Sequence, residues 1–60
     1  MSDVYIPPAA EVDAAAKAIY TSHDLERPWS NADAMWHVVC YREALAALTA
    51  AHEARKAAAQ

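Results

Sequence analysis

The sequence contains no glycine and no phenylalanine, and it has one cysteine and three prolines among its 60 residues. Seventeen alanines, the best helix formers, and the absence of glycine, the poorest short of proline, favour helix wherever the chain is regular. A single cysteine excludes an intrachain disulfide framework, which is typical of proteins from reducing compartments. These deficits predict an all-α protein that has no covalent cross-link.

Long apolar runs and basic charge are scarce as well. No window approaches the ~18 consecutive apolar residues of a membrane helix, and the N-terminus lacks the basic and apolar regions of a signal peptide. We therefore expect a cytoplasmic protein with no membrane partner. The formal net charge is -3 with only five Lys and Arg, so no basic stripe is available to neutralise phosphates, and direct binding to nucleic acid is disfavoured.

The residues that are present predict one small helical domain over 1–60. Two adjacent prolines favour an extended N-terminal arm over 1–8. Apolar residues at helical spacing then predict a short helix 1 over about 9–21, and a polar segment that contains a proline predicts a loop over about 22–29.

Helix 2 is expected over about 30–58 and is the longer element. Ser30 is in position to act as its N-cap, Asp33 stands where the acid of a capping box belongs, and Trp29 precedes them as a hydrophobic staple. The best apolar stripe of this helix has the alternating spacing of a coiled coil. It consists of Ala34, Val38, Tyr41, Leu45, Leu48 and His52.

The two helices differ in length, which raises the question of what covers the second half of helix 2. At 1.5 Å per residue the helices span ~20 Å and ~40 Å, so a hairpin leaves Leu45, Leu48 and His52 without a helical partner. Either the arm residues 4–6 lie on Leu45 and Leu48, or a second chain covers them in a four-helix bundle. A small alanine-rich chain gains more from the second solution, so we expect a homodimer.

His37 and Cys40, three residues apart on helix 2, come nearest to a metal or catalytic site. A structural zinc site needs four ligands, and His52 lies more than ~20 Å along the helix from His37. Cys40 has no orienting acid and no oxyanion loop beside it. We predict no metal site, no cofactor and no catalytic residue, hence a protein that is not an enzyme; a metal-dependent switch through His37 and Cys40 is a further alternative.

The tryptophans Trp29 and Trp36 allow two interpretations. In a chain with few leucines, aromatic side chains supply much of the core, since each buries ~150 to 250 Å². Tryptophan and tyrosine also dominate binding hot spots. We assign Trp29 to closure of the loop and Trp36 to a surface that contacts another chain. The predicted interaction residues are Trp36, Val39, Tyr41, Leu45, Leu48 and His52.

Two segments, EVDAAAKAIYTSHD and YREALAALTAAHEA, carry a resemblance. Together with the tryptophan between them they resemble a pattern in small alanine-rich helical orphan proteins of actinobacterial phages. The resemblance covers 11–54 and implies that residues 18–20, Trp29 and residues 41–42 hold the hairpin together. It implies no known activity. Residues 35–40 depart from the pattern, which is charged and polar there, and indicate an added apolar interface.

These observations predict a non-catalytic protein-interaction module that associates with itself through helix 2 and, if phage-encoded, binds a protein in the host cytoplasm. The alternative is a small nucleic-acid-associated regulator of the helix-turn-helix or excisionase type. The net charge and the lack of a basic recognition helix disfavour that alternative. Arg55 and Lys56 are more simply explained as cations that complement the C-terminal helix dipole.

Overall fold

A computed structural model of the chain describes residues 4–59. Within this range α1 occupies Ala9–Ser22, a single 3-10 turn occupies Trp29–Asn31 and α2 occupies Ala34–Ala58, and no residue forms a strand. The two helices pack against each other, which confirms the predicted all-α hairpin of one short and one long helix. The first three residues of the predicted arm, and Gln60, lie outside the described range.

α1 begins directly after Pro7 and Pro8. The fixed φ of proline suits both an extended arm and the entry into a first helical turn. The carbonyl of Pro8 accepts hydrogen bonds from the N–H groups of Glu11 and Val12 at 3.0 and 3.1 Å, so the first turn is closed although no side chain caps it. Pro7 is buried, which anchors the arm where α1 starts.

α1 ends at Ser22, one residue beyond the predicted end. The hydroxyls of Thr21 and Ser22 donate hydrogen bonds to carbonyls of the preceding turn, at 2.8 and 2.6 Å. Asp24 then adopts a φ of 54°, in the left-handed region. Asp tolerates this region better than most residues because its short polar side chain bonds locally, so it reverses the chain without glycine.

α2 begins at Ala34, so the predicted start at Ser30 is wrong. Ser30 is the middle residue of the 3-10 turn, and Asp33 occupies the N-cap position in an extended conformation. The side chain of Asp33 makes no cap hydrogen bond and instead lies 3.5 Å from the guanidinium of Arg27. Because the 3-10 turn and the extended residues after it separate Ser30 from the helix, the predicted capping box cannot form.

The buried core contains few side chains, and most of them are small. It consists of Ala16 and Tyr20 from α1 with Cys40 and Ala44 from α2. Alanines let the two helices approach closely, but they remove little apolar area from water. Most of the large apolar residues lie partly or largely in solvent. Those with the greatest exposure are Val4, Ile6, Leu25, Met35, Val38, Val39, Tyr41 and Leu45.

The second half of α2 projects beyond α1, since the helices contain 25 and 14 residues and the structure extends over 44 × 21 × 15 Å. The arm lies against this half: the ring of Tyr5 stacks on His52, with centroids 3.9 Å apart and planes inclined by 3°. The arm thus contacts α2 about a turn beyond Leu48. Leu48 is half-buried, whereas Leu45 remains exposed.

Candidate interaction surface

Tyr20 is the centre of an aromatic cluster at the loop end of the hairpin. Its ring lies 5.5 Å from Trp29 and 5.7 Å from Trp36, the latter nearly edge to face at 81°. The Tyr20 hydroxyl donates a hydrogen bond to the backbone carbonyl of Arg27 at 2.7 Å. Such tilted aromatic pairs are favourable because the positive edge of one ring meets the negative face of the other. One buried tyrosine therefore joins α1, the loop and α2.

Trp29 connects the loop to the first turns of α2. Its ring lies 4.3 Å from His37 and 5.6 Å from Tyr41, and its backbone carbonyl is 2.8 Å from His37 Nε2. A carbonyl only accepts, so this hydrogen bond requires the hydrogen on Nε2. Trp29 therefore closes the loop onto the hairpin, but not as the predicted staple, because it is the first residue of the 3-10 turn and the cap of α2 is Asp33.

Trp36 is half-buried and belongs to the same cluster. Besides its contact with Tyr20, its ring lies 5.3 Å from His23 at the end of α1. A shallow depression beside it is lined by Met35, Trp36 and Val39. Part of Trp36 thus borders the surface of α2 while the rest of the ring packs inside the hairpin.

Tyr41 joins the two helices through a polar contact. Its hydroxyl donates a hydrogen bond to the Asp13 carboxylate of α1. This hydrogen bond raises the pKa of Tyr41, and partial desolvation and the negative charge of Asp13 act in the same direction. The hydroxyl is therefore committed to a contact within the chain.

Cysteine, histidine, aspartate and glutamate are the side chains that most often bind metals or act in catalysis. Cys40 is fully buried, and burial, with a smaller effect of the Glu43 charge, raises the pKa of its thiol, so the reactive thiolate is disfavoured. Among residues 4–59, no group of three or more His, Cys, Asp or Glu side chains is placed to hold a metal ion. Neither helix in this range combines the length and apolarity needed to cross a membrane.

The side of α2 that points away from α1 is apolar and exposed. Met35, Val38, Leu45 and Val39 are 76%, 57%, 46% and 38% exposed, and Cys40 and Ala44 on the opposite side are buried against α1. Arg42 and Ala46 lie on the same side of the helix. We call these six residues the outer face. A shallow groove continues it towards the C-terminus, lined by Arg42, Leu45, Ala46, Thr49 and Ala50.

The six predicted interaction residues are distributed over different surroundings. Val39 and Leu45 lie on the outer face, Trp36 is in the aromatic cluster, Tyr41 is bonded to Asp13, Leu48 is half-buried and His52 lies under Tyr5. The prediction omitted two of the most exposed residues, Met35 and Val38. Their sequence signal is the spacing of Met35 with Val39 and of Val38 with Leu45, four and seven residues apart.

No family model, curated protein or solved structure matches this chain. The resemblance to phage orphan proteins therefore stays a prediction.

Proposed function

We propose that this chain is a non-catalytic protein-interaction module that associates with itself through the outer face of α2. If it is phage-encoded, as the resemblance implies, its further partner is a host protein in the host cytoplasm. The observation that carries the proposal is the outer face itself, where four large apolar side chains share one side of a helix and only Arg42 is charged. Contiguous apolar surface of this kind marks interaction sites in soluble proteins.

The small core supports the same proposal. Two alanines, one cysteine and one tyrosine make up the buried cluster, and a domain of about 60 residues is marginal even with a full core. Small domains are commonly stabilised by disulfides, metals or association. Cys40 is a free, buried thiol, and residues 4–59 assemble no metal cluster. The exposed apolar side chains therefore favour association as the additional source of stability.

The distribution of charge supports contact through α2 and not through α1. Residues 9–33 carry five acidic and two basic side chains, whereas residues 34–59 carry three basic and two acidic ones. Two copies that meet through the outer faces keep their acidic segments 9–33 on opposite sides of the pair, which reduces repulsion between like charges.

The test is the molar mass of the chain in solution, measured by light scattering coupled to size exclusion. We expect a dimer at high micromolar concentration. Val38→Glu and Leu45→Glu should shift it to a monomer because each would bury an unpaired carboxylate in the interface. Ala14→Glu, which adds the same charge on the exposed side of α1, is the matched control and should leave the dimer intact. Far-UV circular dichroism verifies that each variant keeps its helices.

A wild-type particle of 6.5 kDa at these concentrations would contradict self-association. Dissociation by Ala14→Glu to the same extent as by Val38→Glu would contradict the assignment to the outer face. Micromolar binding to random duplex DNA that falls steeply with salt would favour the nucleic-acid alternative instead.

A further inference from the structure

We infer that the outer face takes a second copy of this chain in antiparallel orientation, with a two-fold axis passing near Tyr41 and Arg42. The inference rests on the proposed function and specifies the occupant of the same surface and its direction. Three features of the described residues carry it: the position of the apolar side chains along α2, the charge at the two ends of the hairpin, and the side that the arm leaves uncovered.

Two apolar residues of the outer face, Val38 and Leu45, are equidistant from the proposed axis. Val38 and Leu45 lie seven residues apart, about two helical turns, and therefore project from the same side of α2. An axis midway between them sets Val38 of each copy opposite Leu45 of the other, which gives two identical contacts. A parallel pair would instead set Val38 against Val38 and Leu45 against Leu45.

The charges at the two ends favour the antiparallel pair. The last turn of α2 carries Arg55 and Lys56, whereas residues 23–33 carry three acidic side chains and one basic side chain. Measured along α2 from the two-fold axis, at 1.5 Å per residue, Arg55 lies ~20 Å towards the C-terminal end and Asp33 lies ~13 Å towards the N-terminal end. The antiparallel pair thus brings the basic end of each copy towards the acidic loop of the other.

A parallel pair would bring together groups of like charge at both ends. It would also align the two helix dipoles, whereas antiparallel helices oppose them. Arg42 lies beside the axis and is exposed. Its long side chain can cover apolar surface with its methylene groups and keep the guanidinium in water, so the two arginines that meet here, one from each copy, can hold their charges in solvent while the helices approach.

The arm leaves the outer face open while it occupies the adjacent surface of α2. Tyr5 stacks on His52, beyond the C-terminal end of the outer face, and Leu45 remains exposed. The second copy therefore does not need to displace the arm. In this arrangement the arm and the second copy cover different parts of α2.

Disulfide cross-linking distinguishes the two directions. Val38→Cys and Leu45→Cys are each made in a Cys40→Ala background, and the full-length chains are oxidised with oxidised glutathione, alone and as a 1:1 mixture. In the antiparallel pair the Cα atoms of the two Val38 residues are ~10 Å apart along the helix direction. A disulfide cannot bridge Cα atoms more than ~7 Å apart. The mixture should therefore cross-link at least tenfold faster than Val38→Cys alone, with the mass of the mixed dimer.

Each outcome has a defined meaning. Rapid cross-linking of Val38→Cys with itself would overturn the antiparallel orientation and leave the proposed function standing, because it requires association through the outer face. Absence of any cross-link while the wild-type chain is a dimer would overturn both the orientation and the assigned face. Absence of a cross-link together with a 6.5 kDa wild-type particle would overturn self-association as well.

Discussion

The two ends of the hairpin are held by different means. At the loop end, Tyr20 contacts Trp29 and Trp36 and bonds to the Arg27 carbonyl, and His37 bonds to the Trp29 carbonyl. At the arm end, the described contacts are one ring stack, Tyr5 on His52, and the buried Pro7. The difference arises because α1 is 11 residues shorter than α2, so two helices face each other at one end only.

Helix length and apolar content act together to give the arm end fewer contacts. Leu48 is the only large apolar residue of 46–58, and no helix of the same chain faces the part of α2 that projects beyond α1. Local opening requires least free energy where few buried contacts are lost. We therefore expect the arm end to open before the loop end.

The largest effect is expected from Tyr20→Ala. It removes the ring shared by both tryptophans and the hydrogen bond to the loop, and loss of a large buried aromatic costs about 3–5 kcal/mol of unfolding free energy. Urea denaturation followed by circular dichroism measures this. Tyr20→Phe, the matched control, keeps the ring and should lose only about 1 kcal/mol for the hydrogen bond. Equal losses for both variants would mean that the ring contributes little.

The next effect concerns the close approach of the helices. Ala44 is fully buried between α2 and α1, so Ala44→Leu adds a large side chain where there is no room for it. Overpacking of this kind lowers the free energy of unfolding by about 1–3 kcal/mol. Ala54→Leu makes the same change at an exposed position of α2 and should change the unfolding free energy by less than about 0.5 kcal/mol. If Ala44→Leu were neutral by the same denaturation assay, the helices would not be packed through their alanines.

The fold could be predicted largely from local pattern. The absence of glycine, the alanine content and the helical spacing of apolar residues determine two helices, and the double proline determines the extended arm. The start of α2 was missed because Ser30 and Asp33 have the spacing of a capping box, although Asp is a weaker partner than Glu at the second position. The choice between that cap and a 3-10 turn depends on how Trp29 packs against Tyr20 and His37, which is a tertiary contact.

The exposed apolar face of α2 was less predictable for a related reason. The stripe chosen from sequence, which includes Leu48 and His52, is rotated around α2 towards the side that faces α1 and the arm. Met35 and Val39 fit a helical stripe equally well. Since α2 is apolar over a wide arc, periodicity alone cannot decide which part of the arc α1 covers; that depends on the crossing of the helices.

A smaller effect is expected at the arm end. Tyr5→Ala removes the stack on His52, and aromatic pairs of this kind contribute about 0.5–1.5 kcal/mol. Amide hydrogen exchange should accelerate over the second half of α2 and remain unchanged around Tyr20. Ile6→Ala, at an exposed position of the same arm, is the control and should leave both regions unchanged. Equal acceleration at both ends would contradict the independence of the two ends.

The smallest effect is expected from the bond between Tyr41 and Asp13, which lies between the two ends. The hydrogen bond to the carboxylate raises the pKa of Tyr41, so folding favours the protonated hydroxyl. Its contribution is fully present below the pKa of an unfolded tyrosine, about 10, and is lost as the pH rises through the higher pKa of the folded state. Stability should therefore fall on the alkaline side and not near neutral pH.

Nuclear magnetic resonance titration of the Tyr41 ring in the wild-type chain and in Asp13→Asn measures this contribution directly. Asp13→Asn removes the negative charge and the charged acceptor together, so Tyr41 should titrate at lower pH than in the wild type. Tyr41→Phe should abolish the part of the alkaline loss of stability that depends on Asp13, while the ring keeps its contact with Trp29. An unchanged Tyr41 titration in Asp13→Asn would mean that this bond does not hold the middle of the hairpin, and that the packing of Ala16 against Cys40 and Ala44 joins α1 to α2 there without it.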